Sequence, residues 1–219
     1  MAAGKLVWDT VGSRYYETGV SKGVLFVWDT ENNKYKDGVA WSGLSSVSES
    51  PTGADESAIY ADNIKYLSLR SVESFEGTIE AYTYPEEFAI CDGSAELISG
   101  VHIGQQTRVP FCFCYQTKKG TDRDADAGYV IHIIYGCTAA PTEKSYETVN
   151  DSPEAISFSW EITTVPVEVT GHKPTSHLEI DSTKIDSSKL TTIESKLYGS
   201  STESSTLLLP DELLALIKA

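Results

Sequence analysis

The sequence predicts a mainly β protein with a few short helices. Apolar and polar residues alternate without a break over the eight positions from Ile156 to Thr163, a pattern that indicates a strand with one buried face. The apolar segments 108–116 and 129–135 flank a polar connection and predict a long hairpin. Helical signals are short and few, so we expect sheet to dominate the fold.

Further strand signals lie in the first half of the chain. Segments 24–28 and 35–41 are strand-like, and the turn-forming residues 31–33 separate them. In segment 78–83, apolar side chains again occupy alternate positions, which predicts another strand with one buried face.

Residues 42–58 differ from these segments in composition. Ser, Gly, Glu, Pro and Thr dominate, and few apolar residues are present to hold the segment against a core. Loops of this length are uncommon in compact domains and are usually functional or disordered in isolation. We therefore predict a long exposed excursion, either a loop that contacts a partner or a segment without fixed structure.

Three short helices are predicted. Pro85 is followed by two glutamates, which suits the opening turn of a helix. Segment 186–198, closed by Gly199, predicts a surface helix. Its apolar face consists of Leu190, Ile193 and Leu197. The tail from Pro210 repeats the start signal and carries an apolar stripe.

This pattern divides the chain into a β domain, residues 1–199, and a Ser-rich linker with a helical tail, residues 200–219. The apolar stripe of the tail must dock on another surface. Its own domain is the default, and a neighbouring subunit is the alternative.

Charge limits the function classes. The chain of 219 residues has 17 Lys and Arg against 32 Asp and Glu, a formal net charge of −15. Sequence-independent binding to nucleic acids depends on cations that displace phosphate counterions. A conventional DNA- or RNA-binding role is therefore not expected. Neither a signal peptide nor a membrane-spanning apolar run is apparent, so we expect no membrane partner.

Metal and cofactor signals are weak. The four cysteines are interpreted as small buried hydrophobic residues in a reducing cytoplasm; they are Cys91, Cys112, Cys114 and Cys137. A metal pair at Cys112 and Cys114 is the alternative, but no second pair stands at zinc-site spacing. Alternating aspartates in 122–126 are similar to the start of a calcium loop, yet Ile133 occupies the position of the final glutamate ligand. We expect a solvated acidic hairpin tip, no metal and no cofactor.

Catalytic motifs are also missing. The four histidines are scattered and form no metal-binding helix motif, and neither a nucleophile elbow nor a Gly-rich phosphate loop is present. The sequence alone does not exclude a triad assembled from distant positions. We expect a protein that is not an enzyme.

Four runs of sequence carry a specific resemblance. They read IYADNIKY (59–66), EAYTYPEEFAICDG (80–93), NDSPEAISFSWE (150–161) and VPVEVTGHKPTSHL (165–178). In this order they closely resemble the major tail tube proteins of long-tailed, non-contractile bacteriophages. The N-terminal segment and the tail after Gly199 match less distinctively.

The resemblance implies a β-sandwich subunit of the tail tube type. Six copies would form a ring whose inner sheets join into a barrel, and stacked rings would form the conduit for genome ejection. The implied location is the virion tail, after assembly in the host bacterial cytoplasm. The implied partners are further copies of the chain, the tape measure protein, the tail terminator and distal tail proteins, and DNA in transit without tight binding.

The family also implies a long early loop that reaches the adjacent ring, and 42–58 is the candidate segment. Its candidate contact residues are Ser46, Glu49, Pro51 and Asp55. A negative wall would repel passing DNA, and we hypothesise that exposed carboxylates line the channel. The lumen candidates are Glu76, Glu80 and Glu161.

Two other interpretations remain open. One keeps the tube architecture but places it in a phage-derived bacterial device such as a tailocin or secretion tube. The other is a monomeric β-sandwich that binds carbohydrate or a receptor through an exposed aromatic platform. Tyr15, Tyr16 and Trp41 are the residues that would supply such a platform.

Overall fold

The protein is described by a computed structural model that covers residues 4, 6–146, 148, 151 and 155–218. Part of the run 150–161 therefore lies outside the described residues. Fifteen strands and two α-helices follow one another along the covered chain. The strands are β1 (Tyr15–Asp29), β2 (Lys34–Tyr35), β3 (Val39–Trp41), β4 (Leu44–Glu49), β5 (Thr52–Gly53), β6 (Glu56–Ala61), β7 (Ile64–Arg70), β8 (Glu73–Ser74), β9 (Glu76–Ala81), β10 (Ala95–Ile98), β11 (Val101–Ile103), β12 (Phe111–Thr121), β13 (Gly128–Ala139), β14 (Phe158–Thr164) and β15 (His177–Asp181). The helices are α1 (Ser187–Tyr198) and α2 (Pro210–Lys218), and a 3₁₀ helix spans Glu86–Ile90.

Nine strands form one antiparallel sheet. The order along it is β2-β1-β12-β13-β14-β9-β4, with β15 also paired to β13 and β3 also paired to β1. Three separate two-stranded ribbons, β5–β8, β6–β7 and β10–β11, extend from it. The fold class expected from the sequence, a mainly β protein with a sandwich-like arrangement and short helices, is confirmed.

The large sheet curls so that its two halves face each other. Side chains from both halves share one hydrophobic core, for example Phe113 of β12 and Trp160 of β14. Trp41 lies between them, with its ring centroid 5.4 Å from that of Phe113 and 5.5 Å from that of Trp160. Edge-to-face aromatic contacts of this kind add to the free energy gained from burial.

A second core lies on the opposite side of β1, β12 and β13, beneath the two helices. Leu190, Ile193 and Leu197 of α1 are buried there as the sequence predicted. Asp186 caps α1 by accepting a hydrogen bond from the Ser188 N–H, and Gly199 ends it at φ 77°. Leu213 of α2 packs into the same core, so the C-terminal tail docks on its own domain.

Most predicted strands are present with longer bounds. The hairpin predicted from 108–116 and 129–135 is β12–β13, whose strands extend to Thr121 and from Gly128. The alternation in 78–83 is confirmed in β9, where Ile79 and Ala81 are buried. At the start of the alternating run, Ile156 lies outside β14 and is exposed. Among the described residues, no helix is long and apolar enough to cross a membrane.

Candidate assembly surfaces

The segment 42–58 is not the single exposed loop that its composition suggested. Its first part is β4, which pairs with β9 in the main sheet. The register shifts between Leu44 and Ser46, and this irregularity breaks the alternation of apolar residues that would have revealed a strand. The true excursion comprises residues 50–75, which form the ribbons β5–β8 and β6–β7.

The β6–β7 ribbon is a tight hairpin. Asp62 and Asn63, at its turn, both have positive φ, 51° and 62°. Two-residue turns with φ above zero at both positions match the twist of the flanking strands, and Asp and Asn tolerate this conformation. The dipeptide Asp62-Asn63 between apolar residues was therefore a sequence signal for this hairpin that our prediction missed.

One face of the β6–β7 ribbon is apolar and exposed. The register pairs Ile59 with Leu67 and Ser57 with Leu69, so the three apolar side chains share a face. Ile59 is 42%, Leu67 45% and Leu69 51% exposed. We call this surface the ribbon face. Exposed apolar residues clustered on one surface typically mark an interaction site.

The opposite face of the ribbon carries charged and hydroxyl groups together with Tyr60, which is 70% exposed. Glu56 lies there with Ser68, whose hydroxyl donates a hydrogen bond of 2.7 Å to the Glu56 carboxylate. Lys65 forms an ion pair with the same carboxylate. The two faces thus differ in polarity, and neither is covered by a core within the described residues.

Several strand margins of the main sheet have a free side. In the described part of the chain, β4 pairs only with β9 and β15 pairs only with β13. The first residues of β1, Tyr15–Thr18, pair only with β12. Backbone N–H and C=O groups along a free margin are available to a strand from another chain.

The outer surface of β4, β9 and β14 is polar and acidic. Glu76, Glu80 and Glu161, the three lumen candidates, lie on this one face by their register with neighbouring strands. The face consists of Ser46, Ser48, Glu76, Thr78, Glu80, Ser159, Glu161 and Thr163. We call it the acidic face. No Lys or Arg occurs in these three strands.

The four residues predicted for contacts between rings lie in different environments. Ser46 is on the acidic face, where its hydroxyl donates a hydrogen bond of 2.7 Å to the Glu80 carboxylate. Pro51 and Asp55 are exposed in the excursion. Glu49 ends β4 and points to the other side of the sheet. A role of these residues between rings stays a prediction.

Glu49 belongs to a cluster with two histidines that the sequence did not reveal. Its carboxylate oxygen lies 3.0 Å from Nε2 of His177 and 3.7 Å from Nδ1 of His132. It also accepts a hydrogen bond from the Tyr115 hydroxyl. The Nδ1 atom of His132 lies 3.4 Å from Nε2 of His177. The cluster therefore joins β4, β12, β13 and β15.

Burial and the neighbouring groups set the charges of this cluster. Burial raises the pKa of the Glu49 carboxyl, but hydrogen bonds from His177 and Tyr115 outweigh this effect and hold the pKa below its usual value. Burial lowers the pKa of His132, and the Glu49 carboxylate opposes only part of that shift. Glu49 is therefore ionised at neutral pH, and His132 is neutral.

Within the described ranges, the other candidate sites show no comparable cluster. All four cysteines are buried and free. Burial raises the pKa of Cys112 and of Cys114 to about 12, so these thiols stay protonated and behave as hydrophobic side chains. Trp41, expected to contribute to an exposed aromatic platform, is buried in the core, which removes the centre of that platform. Tyr15 and Tyr16 are exposed.

Comparisons with known proteins give a limited likeness. No family model matches this sequence, and no curated protein matches it. One similar solved structure is the sheath/tube terminator of an extracellular contractile injection system, PVC, in the extended state, with 12% identity and a TM-score of 0.29 over 80% of this chain and 99% of that chain. Another is the sheath-tube complex of the PVC system in the extended state, with 11% identity and a TM-score of 0.31 over 73% of this chain and 88% of that chain.

Proposed function

We propose that this protein is a structural, non-enzymatic subunit that assembles with copies of itself into a bacteriophage tail tube. Six copies form a ring, rings stack along one axis, and the channel conducts the genome into the host. The tape measure protein, the tail terminator and distal tail proteins are its partners during assembly. The assembled protein resides in the virion tail. The resemblance of the four sequence runs to tail tube proteins supports this assignment.

The observation that carries the proposal is the exposed ribbon face. The exposed apolar face of this ribbon is stabilised only when another surface covers it. Burial of apolar surface contributes about 25 cal/mol of favourable free energy for each Å² removed from water. The same chain presents free margins on β4, β15 and the start of β1. Another copy of the chain can pair with the free strand margins and can also cover the ribbon face. Lateral strand pairing then closes a ring, and the projecting ribbon reaches the next ring.

The acidic face suits the wall of the channel. Three carboxylates and no Lys or Arg on its strands give a surface that repels phosphate at close range. DNA that passes along such a wall is not captured by it. We therefore assign this face to the lumen and the helix-covered face to the outside of the tube.

Negative-stain electron microscopy of the concentrated full chain tests assembly. We expect tubes with a central channel, in which ring averages show sixfold symmetry. Monodisperse monomers at every salt and protein concentration would contradict the proposal.

Thiol labelling tests which face lines the channel. Because the native cysteines are buried, Glu161→Cys adds an accessible thiol on the acidic face and Thr192→Cys adds one on α1. In tubes, we expect a small maleimide to label both variants and a maleimide on a long polyethylene glycol chain to label only Thr192→Cys. Both reagents should label both variants in the unassembled protein. Rapid labelling of assembled Glu161→Cys by the large reagent would place the acidic face outside.

A further inference from the structure

The cluster of Glu49, His132 and His177 has the spacing of a metal site. Glu49 Oε1 lies 3.0 Å from His177 Nε2 and 3.7 Å from His132 Nδ1. The two histidine nitrogens lie 3.4 Å apart. Nitrogen and oxygen ligands bind Zn²⁺ at roughly 2.0–2.2 Å, and the edges of such a tetrahedron are about 3.3–3.5 Å long. The three atoms therefore surround a point at which one ion fits.

The donor set is also chemically suitable. Two imidazole nitrogens face each other and share one carboxylate oxygen, and no Lys or Arg forms an ion pair with Glu49 in the covered part of the chain. Imidazole together with carboxylate suits Zn²⁺ and related transition ions, whereas Mg²⁺ and Ca²⁺ prefer oxygen ligands alone. A cation at this position would neutralise Glu49 and satisfy both nitrogens at once.

Neighbouring groups hold the histidine rings in place. The Nε2 atom of His132 lies 3.0 Å from the Thr117 hydroxyl, which fixes the ring from its far side. The His132 ring stacks on Tyr115 with centroids 4.6 Å apart and a 5° angle between the planes. The His177 ring stacks on Phe75 with centroids 5.0 Å apart. Hydrogen-bonded and packed imidazoles need little reorganisation to bind a metal.

A fourth ligand is within reach on the solvent side. Glu179, on the same strand as His177, brings a carboxylate oxygen within 4.0 Å of Nδ1 of His132, and its side chain is 59% exposed. Either this carboxylate or a water molecule would complete a tetrahedron. We propose that Glu49, His132 and His177 form a structural binding site for one divalent transition-metal ion of the zinc class.

The position of the site gives the ion a mechanical role. Glu49 ends β4 immediately before the excursion, and Phe75 immediately precedes β9, so both ends of residues 50–75 contact the cluster. An ion held by Glu49 of β4 and by histidines of β13 and β15 fixes the base of the excursion to the main sheet. Binding of the ion by the single chain does not depend on tube formation.

Metal titration of the full chain, freed of metal by a chelator that is then removed, tests the site. We expect one Zn²⁺ per chain by calorimetry and a melting temperature that rises with Zn²⁺ concentration. With Co²⁺ as the probe, we expect the visible bands of a low-coordinate site with nitrogen and oxygen ligands. Charge-transfer bands of a cobalt thiolate would assign the metal to cysteine and overturn the proposal.

Substitutions separate the site from incidental binding. His177→Gln and, independently, Glu49→Gln should weaken Zn²⁺ binding about a hundredfold or more, because each removes one of three ligands. His102→Gln and His172→Gln are matched controls at exposed positions and should bind as the wild type does. Circular dichroism before titration establishes that each variant is folded. If His177→Gln does not fold, Glu49→Gln still tests the site, because its amide oxygen can accept the Tyr115 hydrogen bond. Unchanged affinity in a folded Glu49→Gln variant, or a loss of binding in either control, refutes the site.

Discussion

Two hairpins of this protein have similar apolar content and opposite surroundings. The β12–β13 hairpin is buried on both faces over most of its length, between the aromatic core and the helices. The β6–β7 hairpin carries Ile59, Leu67 and Leu69 on one face and leaves them exposed. Apolar strand content alone therefore does not decide whether a hairpin is buried within a chain. The first hairpin packs against two layers, whereas no layer covers the second among the residues that the structure describes.

Truncation inside the buried hairpin should have the largest effect on stability. Phe113→Ala removes a fully buried ring from the aromatic core and should lower the free energy of unfolding by about 3–5 kcal/mol. Leu67→Ala, on the exposed hairpin, should change it by less than about 0.5 kcal/mol in dilute monomer. Urea unfolding followed by circular dichroism measures both. Equal losses would mean that the two hairpins do not differ in their surroundings.

A charged substitution on the exposed hairpin should impair assembly and leave the stability of the monomer nearly unchanged. Leu67→Lys places a cation on the ribbon face and should raise the protein concentration needed for tubes about a hundredfold, because that face becomes buried between copies. Ser68→Lys is the matched control, since this neighbouring residue points to the opposite face of the ribbon, beside Glu56. Sedimentation and electron microscopy measure the assembled fraction. Unimpaired tubes from Leu67→Lys would show that the ribbon face is not an interface.

A smaller effect on stability is expected at the outer end of the buried hairpin, where Lys119 forms an ion pair with Asp181 of β15. Burial raises the pKa of Asp181, but hydrogen bonds from Lys119 and Thr183 outweigh this effect and lower the pKa to about 2. Since an unfolded Asp has a pKa of about 3.9, the pair contributes stability above about pH 4 that is lost as pH falls towards 2. The Asp181 side chain is 25% exposed, so solvent screening reduces this contribution to about 1 kcal/mol.

Asp181→Asn should therefore be about 1 kcal/mol less stable than the wild type at pH 7 and equal to it near pH 2. Asp126→Asn is the control, because its ion pair with Lys118 is largely exposed and should contribute nothing measurable. Urea midpoints at pH 2, 4 and 7 give the comparison. A difference between Asp181→Asn and wild type that does not change with pH would rule out the ion pair as its cause.

The sequence predicted much of the fold because strand and helix patterns depend on near neighbours. Alternation around Trp160 identified a strand and its buried face, and the Asp186 and Gly199 signals gave the bounds of α1 closely. The irregular register of β4 concealed a strand among serines. Trp41 was misjudged because a tryptophan at the end of a short strand gives no local sign of the layer that covers it.

Local sequence patterns were sufficient to predict the class of the fold, the acidic charge and the alternation that places Glu76, Glu80 and Glu161 opposite a core. The convergence of Glu49, His132 and His177 was visible only in the folded sheet, since His132 and His177 are 45 positions apart and Glu49 lies on a third strand. The pleat of a strand fixes where a side chain points relative to its near neighbours, so the sequence pattern predicts it. The curl and pairing of the whole sheet fix which distant strands meet.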